Sequence, residues 1–169
     1  IVTHAEGIYI HDSEGNRILD GMAGLWCVNL GYGRDELVDA ATAQLRELPY
    51  YNNFFKTTHP PAVRLAEKLC RLAPAHINRV FFTGSGSEAN DAAIKICWYY
   101  HNAIGRPEKC KIIGRSKGYH GSTAATTSLS GLPDKHRDFN LPFEPFLHTE
   151  LPHFYRCHRE GESETEFAS

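Results

Sequence analysis

The stretch from Arg79 to Gly105, RVFFTGSGSEANDAAIKICWYYHNAIG, constrains the fold of this chain more than any other. It opens with the apolar run Val80–Phe82, which is typical of a buried strand, and continues into a glycine and serine cluster that indicates a tight turn. From Glu88 onward apolar residues recur at helical spacing, until Gly105 and Pro107 end the pattern. The stretch therefore predicts a strand, a glycine loop and a helix in succession.

The junction between this strand and helix is a candidate anion site. The first turn of a helix presents N–H groups without intrahelical partners and the positive end of the helix dipole. Gly84 and Gly86 let the main chain approach a ligand closely, and Ser85 and Ser87 add hydroxyl donors, so a phosphate is the expected guest. Ser85 with Glu88 also forms a capping-box pattern, in which the serine only caps the helix. On these residues alone, both interpretations stay open.

Two other enzyme classes share parts of this pattern. The loop reads G-x-G-x-x-A, and a second strand predicted at Lys109–Ile113 completes the length of a dinucleotide-binding unit. Gly114 and Arg115 follow that strand where a ribose-binding acid is expected, which leaves only an NADP-binding oxidoreductase open. Residues 114–118 also match G-x-S-x-G, the nucleophile elbow of α/β-hydrolases, but no HGGG-like oxyanion loop occurs in the sequence. A non-catalytic phosphate-binding or interaction fragment is a further alternative.

Four segments resemble the class III pyridoxal-phosphate-dependent aminotransferases and, within that family, the ω-amino acid:pyruvate (amine) transaminases. In chain order they are DGMAGLWCVNLGYG, LPYYNNFF, FFTGSGSEANDAAIK and GYHGST, and they spread across nearly the whole sequence. The resemblance implies an α/β fold, the amino-terminal half of a fold-type-I transferase, with a mostly parallel sheet, flanking helices and part of the small domain. It places residues 1–33 in the small domain and crossover loop, and residues 34–169 in the first part of the large domain that binds pyridoxal phosphate.

The resemblance also implies a site for pyridoxal 5'-phosphate. The cofactor-binding positions are Ser85, Gly86, Ser87, Tyr119 and His120, with Tyr119 covering one face of the pyridine ring. Trp26 matches a residue in the wall of the substrate pocket, and Phe54 matches one that reaches the partner's active site in a homodimer.

The implied reaction moves an amino group from an ω-amino acid or amine to a keto acid such as pyruvate. The lysine that forms the Schiff base and the aspartate that pairs with the pyridine nitrogen are expected beyond residue 169. No catalytic residue is therefore predicted within this chain.

The rest of the sequence predicts the scaffold around this site. Asp20–Gly33 carries four glycines and no sustained period, so it predicts a loop with unusual backbone angles. The other predicted elements are a hairpin over residues 7–20, helices over 35–48 and 60–73, a short helix over 123–130 capped by Ser122, and a loop over 132–159.

Composition narrows the setting of the protein. A net charge of -2 offers no basic field for nucleic acid, and no apolar run approaches a membrane span. No signal peptide opens the chain, so a cytoplasmic setting is expected.

Five cysteines without a CxxC pair indicate neither a disulfide framework nor a metal site. The chain begins without methionine, and Ser163 with Glu166 spells a helix start near its end, so we expect a piece of a longer protein.

Overall fold

The structure is a computed structural model that describes residues 1–168. The chain forms two compact units, one from Ile1 to Arg79 and one from Val80 onward.

The first unit opens with an antiparallel sheet of three strands in the order β1 (Val2–Glu6), β2 (Tyr9–Asp12) and β3 (Arg17–Leu19). The predicted hairpin is confirmed as β2 and β3, with Ile10 opposite Ile18. The carboxylate of Asp12 fixes its turn, because one oxygen accepts hydrogen bonds from the amides of Glu14 and Asn16, both at 2.9 Å. Strand β1 was not predicted, since its sequence VTHAE does not alternate between apolar and polar residues.

The glycine-rich loop after β3 contains one short turn, α1 (Ala23–Trp26). All four of its residues have positive φ angles, of 47°, 58°, 63° and 63° in chain order. This turn is left-handed, which confirms the prediction of unusual backbone angles between residues 20 and 33.

Two regular helices follow, α2 (Asp35–Glu47) and α3 (Pro60–Leu72), as predicted. Pro60 occupies the first turn of α3, where its missing N–H removes no hydrogen bond. The spacing of Val63, Ala66, Leu69 and Cys70 predicts an inward-facing stripe on α3, but no residue of either helix is buried in the described chain. Val63 and Leu69 are 43% and 40% exposed, so the prediction is wrong for these two side chains in this unit.

The second unit is an α/β arrangement built on two parallel strands, β4 (Ile112–Arg115) and β5 (Phe146–Thr149), with Ile113 opposite Leu147. Its helices are α4 (Gly86–Ala103), α5 (Ala124–Leu129), α6 (Phe154–Cys157) and α7 (Glu164–Phe167), with a 3₁₀ turn at Pro133–Lys135. The capping box that Ser163 and Glu166 predict is present at the start of α7. The parallel pairing and the helices agree with the expected fold class.

Two strand predictions in this unit need correction. Val80–Phe82 does not form a strand, and the side chain of Phe81 is 73% exposed, because no strand among the described residues pairs with this segment. The second strand begins at Ile112 rather than Lys109. Strand β5 lies in a region predicted as loop. The prolines at 142, 145 and 152 interrupt the pattern around this four-residue strand, and its partner β4 is distant in sequence.

Small residues fill the centre of this unit. Ile94 and Phe146 are its buried apolar side chains, whereas the hydroxyl side chains of Thr126, Ser128 and Ser130 are almost fully buried. Two glycines, Gly114 and Gly131, sit against backbone carbonyl oxygens of Leu129 and Arg115, where any β-carbon would collide. Strand β4 and the end of α5 therefore approach each other at a distance that only glycine permits. None of the described helices is both long and apolar enough to cross a membrane.

Candidate functional site

The N-terminus of α4 combines a cap with free donors. Ser85 is the capping residue, and its hydroxyl oxygen accepts a hydrogen bond of 3.2 Å from the amide of Glu88. The helix starts at Gly86, two residues earlier than the sequence indicates. Among residues 1–168, nothing accepts a hydrogen bond from the amides of Gly86 and Ser87, and the space beside the α-carbon of Gly86 is open. Capping and anion binding are thus compatible, because the cap uses only one of the available N–H groups.

Ser87 connects this helix start to the turn that follows β4. Its hydroxyl oxygen accepts a hydrogen bond of 3.0 Å from the amide of Ser122. The prediction that Ser122 caps α5 is wrong, because Thr123 is the capping residue and forms a capping box with Thr126. Gly121, at φ +142°, lies between these groups, and a β-carbon there would be 2.6 Å from the hydroxyl oxygen of Ser87. The two loops are in direct contact through polar atoms and a glycine.

The backbone of His120 is fixed from both sides. Its amide donates to the hydroxyl oxygen of Ser130 at 2.8 Å, and its carbonyl accepts from the side-chain amide of Asn90, also at 2.8 Å. The neighbouring side chain of Tyr119 is 65% exposed. A rigid backbone therefore carries an aromatic ring whose surface remains available for stacking.

A second side-chain contact joins α4 to the start of α5. The hydroxyl of Thr123 donates to the carboxylate of Asp91 at 2.9 Å. Asn90, Asp91 and Ser130 thus hold the site together, and the sequence interpretation missed all three. The available signal was the pair Asn90-Asp91, which is flanked by Ala89 and by Ala92-Ala93, since polar residues on a helix face that meets other elements usually have partners there.

The cofactor-site predictions thus meet in one cluster of the second unit, which brings Ser85, Gly86 and Ser87 together with the turn at Tyr119 and His120. Trp26 and Phe54 belong to the first unit, where their side chains are 73% and 70% exposed. The ring of Phe54 meets that of Phe55 edge to face at a centroid distance of 5.4 Å.

The hydrolase alternative has no support in the geometry. The hydroxyl of Ser116 donates to the carbonyl oxygen of Thr149 at 3.0 Å, and no histidine ring in the described chain bonds to it. A nucleophilic serine needs an adjacent base to take its proton. No group of three potential metal ligands occurs within the described part of the chain.

The family model named Aminotransferase class-III matches residues 1–168. The chain belongs to the class III aminotransferases. Members of this family use pyridoxal phosphate. The membership decides against the dinucleotide-binding and hydrolase alternatives that the glycine patterns left open.

Curated class III aminotransferases from distant organisms are similar to this chain. Putrescine–pyruvate aminotransferase of Pseudomonas aeruginosa is 56% identical over 155 residues, which are 92% of this chain and 34% of that enzyme. Gamma-aminobutyrate transaminase 1, a mitochondrial protein of rice (Oryza sativa subsp. japonica), is 50% identical over 170 residues, covering 100% of this chain and 33% of that protein. The chain spans about a third of the length of these relatives.

Solved structures of ω-transaminases contain a region with the same fold as this chain. The enzyme of Pseudomonas jessenii in complex with PMP superposes with a TM-score of 0.96 at 48% identity, covering 99% of this chain and 37% of that one. A thermostable variant engineered for the synthesis of enantiopure bulky amines also gives a TM-score of 0.96, at 47% identity and the same coverages. That variant carries substitutions at a tryptophan, at a phenylalanine 28 positions further on, and at a later arginine.

The residues around Ser87 are suited to the phosphate of this cofactor. Two amides without acceptors, an open space beside Gly86 and nearby hydroxyl groups match the hydrogen-bonding capacity of a phosphate. The exposed ring of Tyr119 lies beside a turn that contacts the same helix start through Ser122.

Proposed function

We propose that this chain is the amino-terminal third of a pyridoxal-phosphate-dependent transaminase, which moves an amino group from an amine or ω-amino acid to a keto acid such as pyruvate. One observation carries the proposal: the hydrogen bond from Ser122 to Ser87 joins the glycine loop to the turn at Tyr119 and His120. The groups that donate hydrogen bonds to the phosphate and the ring that stacks on the pyridine then belong to the same rigid cluster.

Each residue of the cluster has a distinct role in this proposal. The amides of Gly86 and Ser87 and the hydroxyls of Ser85 and Ser87 bind the phosphate, and Tyr119 with His120 flanks the pyridine ring. When bound, pyridoxal phosphate supplies an electron sink to the reacting amine. The chain's own contribution is to bind and orient, because the Schiff-base lysine and the aspartate of the pyridine nitrogen are proposed to lie beyond residue 169.

The proposed domain division follows from the same resemblance. Residues 1–33 belong to the small domain and crossover loop, and residues 34–169 to the first part of the large cofactor-binding domain. A cytoplasmic location remains part of the proposal.

Trp26 and Phe54 are proposed to shape the substrate pocket. In this sequence Phe54 follows Trp26 by 28 positions. The ω-transaminase variant engineered for bulky amines is substituted at a tryptophan and a phenylalanine with the same separation. The coincidence of residue types and spacing supports these two positions as contacts of the substrate side chain.

The proposal does not specify which class of amine donates the amino group. The similar enzymes bear the names of putrescine, a diamine, and gamma-aminobutyrate, an ω-amino acid. The test is to express the full-length protein, load it with pyridoxal phosphate, and measure alanine formed from pyruvate with putrescine, gamma-aminobutyrate or a bulky arylalkylamine. Alanine is expected with at least one donor. A protein that binds the cofactor stoichiometrically, yet forms no alanine with any donor, contradicts the proposal.

We further propose that the full-length protein is a homodimer with Phe54 contributing to the partner's site. The aromatic cluster Tyr50, Tyr51, Phe54 and Phe55 is exposed in the described unit, and such a patch normally needs a cover. Sedimentation at assay concentration is expected to give a dimer. An active monomer under those conditions contradicts this assignment.

A further inference from the structure

The turn α1 keeps Trp26 in a strained backbone. Its residues Ala23, Leu25 and Trp26 have φ angles of 47°, 63° and 63°, although none is glycine. A left-handed conformation is unfavourable for any residue other than glycine, so three such residues within one turn require strong local support. The side chain of Trp26 is 73% exposed, so burial in its own unit does not offset this strain.

The carboxylate of Asp20 supports this turn. One oxygen accepts hydrogen bonds of 2.7 Å from the amide of Gly24 and 2.7 Å from the hydroxyl of Tyr32. The other oxygen accepts from the amide of Met22 at 3.1 Å. The hydroxyl of Tyr32 and these two amides lower the pKa of Asp20, and the bond to the carboxylate raises the pKa of Tyr32.

Both partners of this contact are anchored to the turn that connects β1 and β2. The amide of Asp20 donates to the carbonyl of Ile8 at 2.9 Å, and the amide of Tyr32 donates to the carbonyl of Gly7 at 2.8 Å. The turn also excludes larger residues at Gly24, where a β-carbon would lie 2.8 Å from a methyl group of Val28. The residues that flank the strained turn, Asp20 and Tyr32, are thus both held by the backbone of the turn between β1 and β2.

We propose that Asp20 and Tyr32 are positioning residues that fix the direction of the Trp26 indole and thereby set the enzyme's preference between bulky and small amines. The inference rests on the proposed function, because it assigns to Trp26 a place beside the substrate. Strained backbone that is held in place by surrounding contacts tends to occur at functional sites.

The test compares Asp20→Asn, Tyr32→Phe and Trp26→Ala in the full-length holoenzyme, using kcat/KM for one bulky and one small amine. All three are expected to shift the bulky-to-small ratio in the same direction, by roughly tenfold, the effect of a one-methylene misfit in an apolar pocket. In the Trp26→Ala background, Asp20→Asn and Tyr32→Phe are expected to produce no further shift. Asp12→Asn is the matched control, since Asp12 also accepts backbone bonds in this unit but has no contact with α1.

Three results would overturn the inference. Equal loss of kcat/KM for both amines in Tyr32→Phe and Asp20→Asn would mean that the pair only stabilises the fold. Additive shifts in the Trp26→Ala background would mean that the pair acts independently of the indole. A Trp26→Ala enzyme with an unchanged ratio would remove Trp26 from the pocket while leaving transamination itself established. Absence of alanine formation by the unmodified enzyme is a different outcome, which contradicts the proposed function.

Discussion

Gly121→Ala is the substitution with the sharpest expected effect on the cluster around Ser87. A β-carbon at Gly121 would collide with the hydroxyl oxygen of Thr126, and would lie 2.7 Å from the β-carbon of Thr126 and 2.6 Å from the hydroxyl oxygen of Ser87. Overpacking of this kind costs about 1–3 kcal/mol. The backbone at φ +142° is used essentially only by glycine, so a substitution there adds about 1–3 kcal/mol of strain. The expected loss in free energy of unfolding is therefore roughly 2–6 kcal/mol.

Gly105→Ala is a control that lacks the steric contribution. Gly105 also has a positive φ, of 72°, but a β-carbon there would meet nothing within 4 Å. This control should lose only the backbone contribution of about 1–2 kcal/mol. Urea unfolding of the cofactor-free protein is the appropriate assay, because bound cofactor would add its own stabilisation.

The cluster also predicts a second consequence of Gly121→Ala. The new methyl group must displace Ser87 or Thr126, so the hydrogen bond between Ser122 and Ser87 should lengthen and cofactor affinity should fall. Gly105→Ala should retain the cofactor as the unmodified protein does. If both variants lose equal stability and both keep the cofactor, the side chains of Ser87 and Thr126 move aside without cost, and the expected overpacking at Gly121 does not occur.

Three further outcomes are expected. Ser87→Ala should weaken retention of pyridoxal phosphate in a titration of the full-length protein, because it removes a hydroxyl donor and the acceptor for Ser122; unchanged affinity would contradict the phosphate site. Tyr32→Phe should raise the pKa of Asp20, since the Tyr32 hydroxyl is the largest cause of the lowering of that pKa. The measurement is the carbon-13 chemical shift of the Asp20 carboxyl group as a function of pH. With a folded pKa below the unfolded value, Asp20 stabilises the unmodified protein above that unfolded value, and this contribution is lost as pH falls through the folded pKa. The 169-residue chain alone should form no alanine from amine and pyruvate, and a lysine labelled stoichiometrically after borohydride treatment would show otherwise.

The predictable features of this fold are those that depend on residues close to each other in the sequence. Ser85 at the start of α4 and the unusual angles between residues 20 and 33 follow from short-range rules on caps and glycines. Strand β5 and the segment Val80–Phe82 depend on pairing with distant residues, and the sequence pattern does not contain that information.

The candidate site shows the same division. The five cofactor-site residues were identified by resemblance, and all five lie in one cluster, but the residues that hold it together were not foreseen. The contact of Asn90 with His120 spans 30 positions and that of Ser87 with Ser122 spans 35. Such contacts become visible only when α4 and the turn after β4 have been brought together in space.

The close approach of β4 to α5 has a consequence for how this region can evolve. Its centre is built from glycines and hydroxyl side chains, with backbone atoms where most cores place hydrocarbon. The usual route to a more stable protein, enlarging an apolar side chain to fill a gap, is closed at Gly114 and Gly131 because any added atom meets a carbonyl oxygen. Sequence drift in this part of the molecule is therefore confined to its outer faces, and its smallest residues are the least free to change.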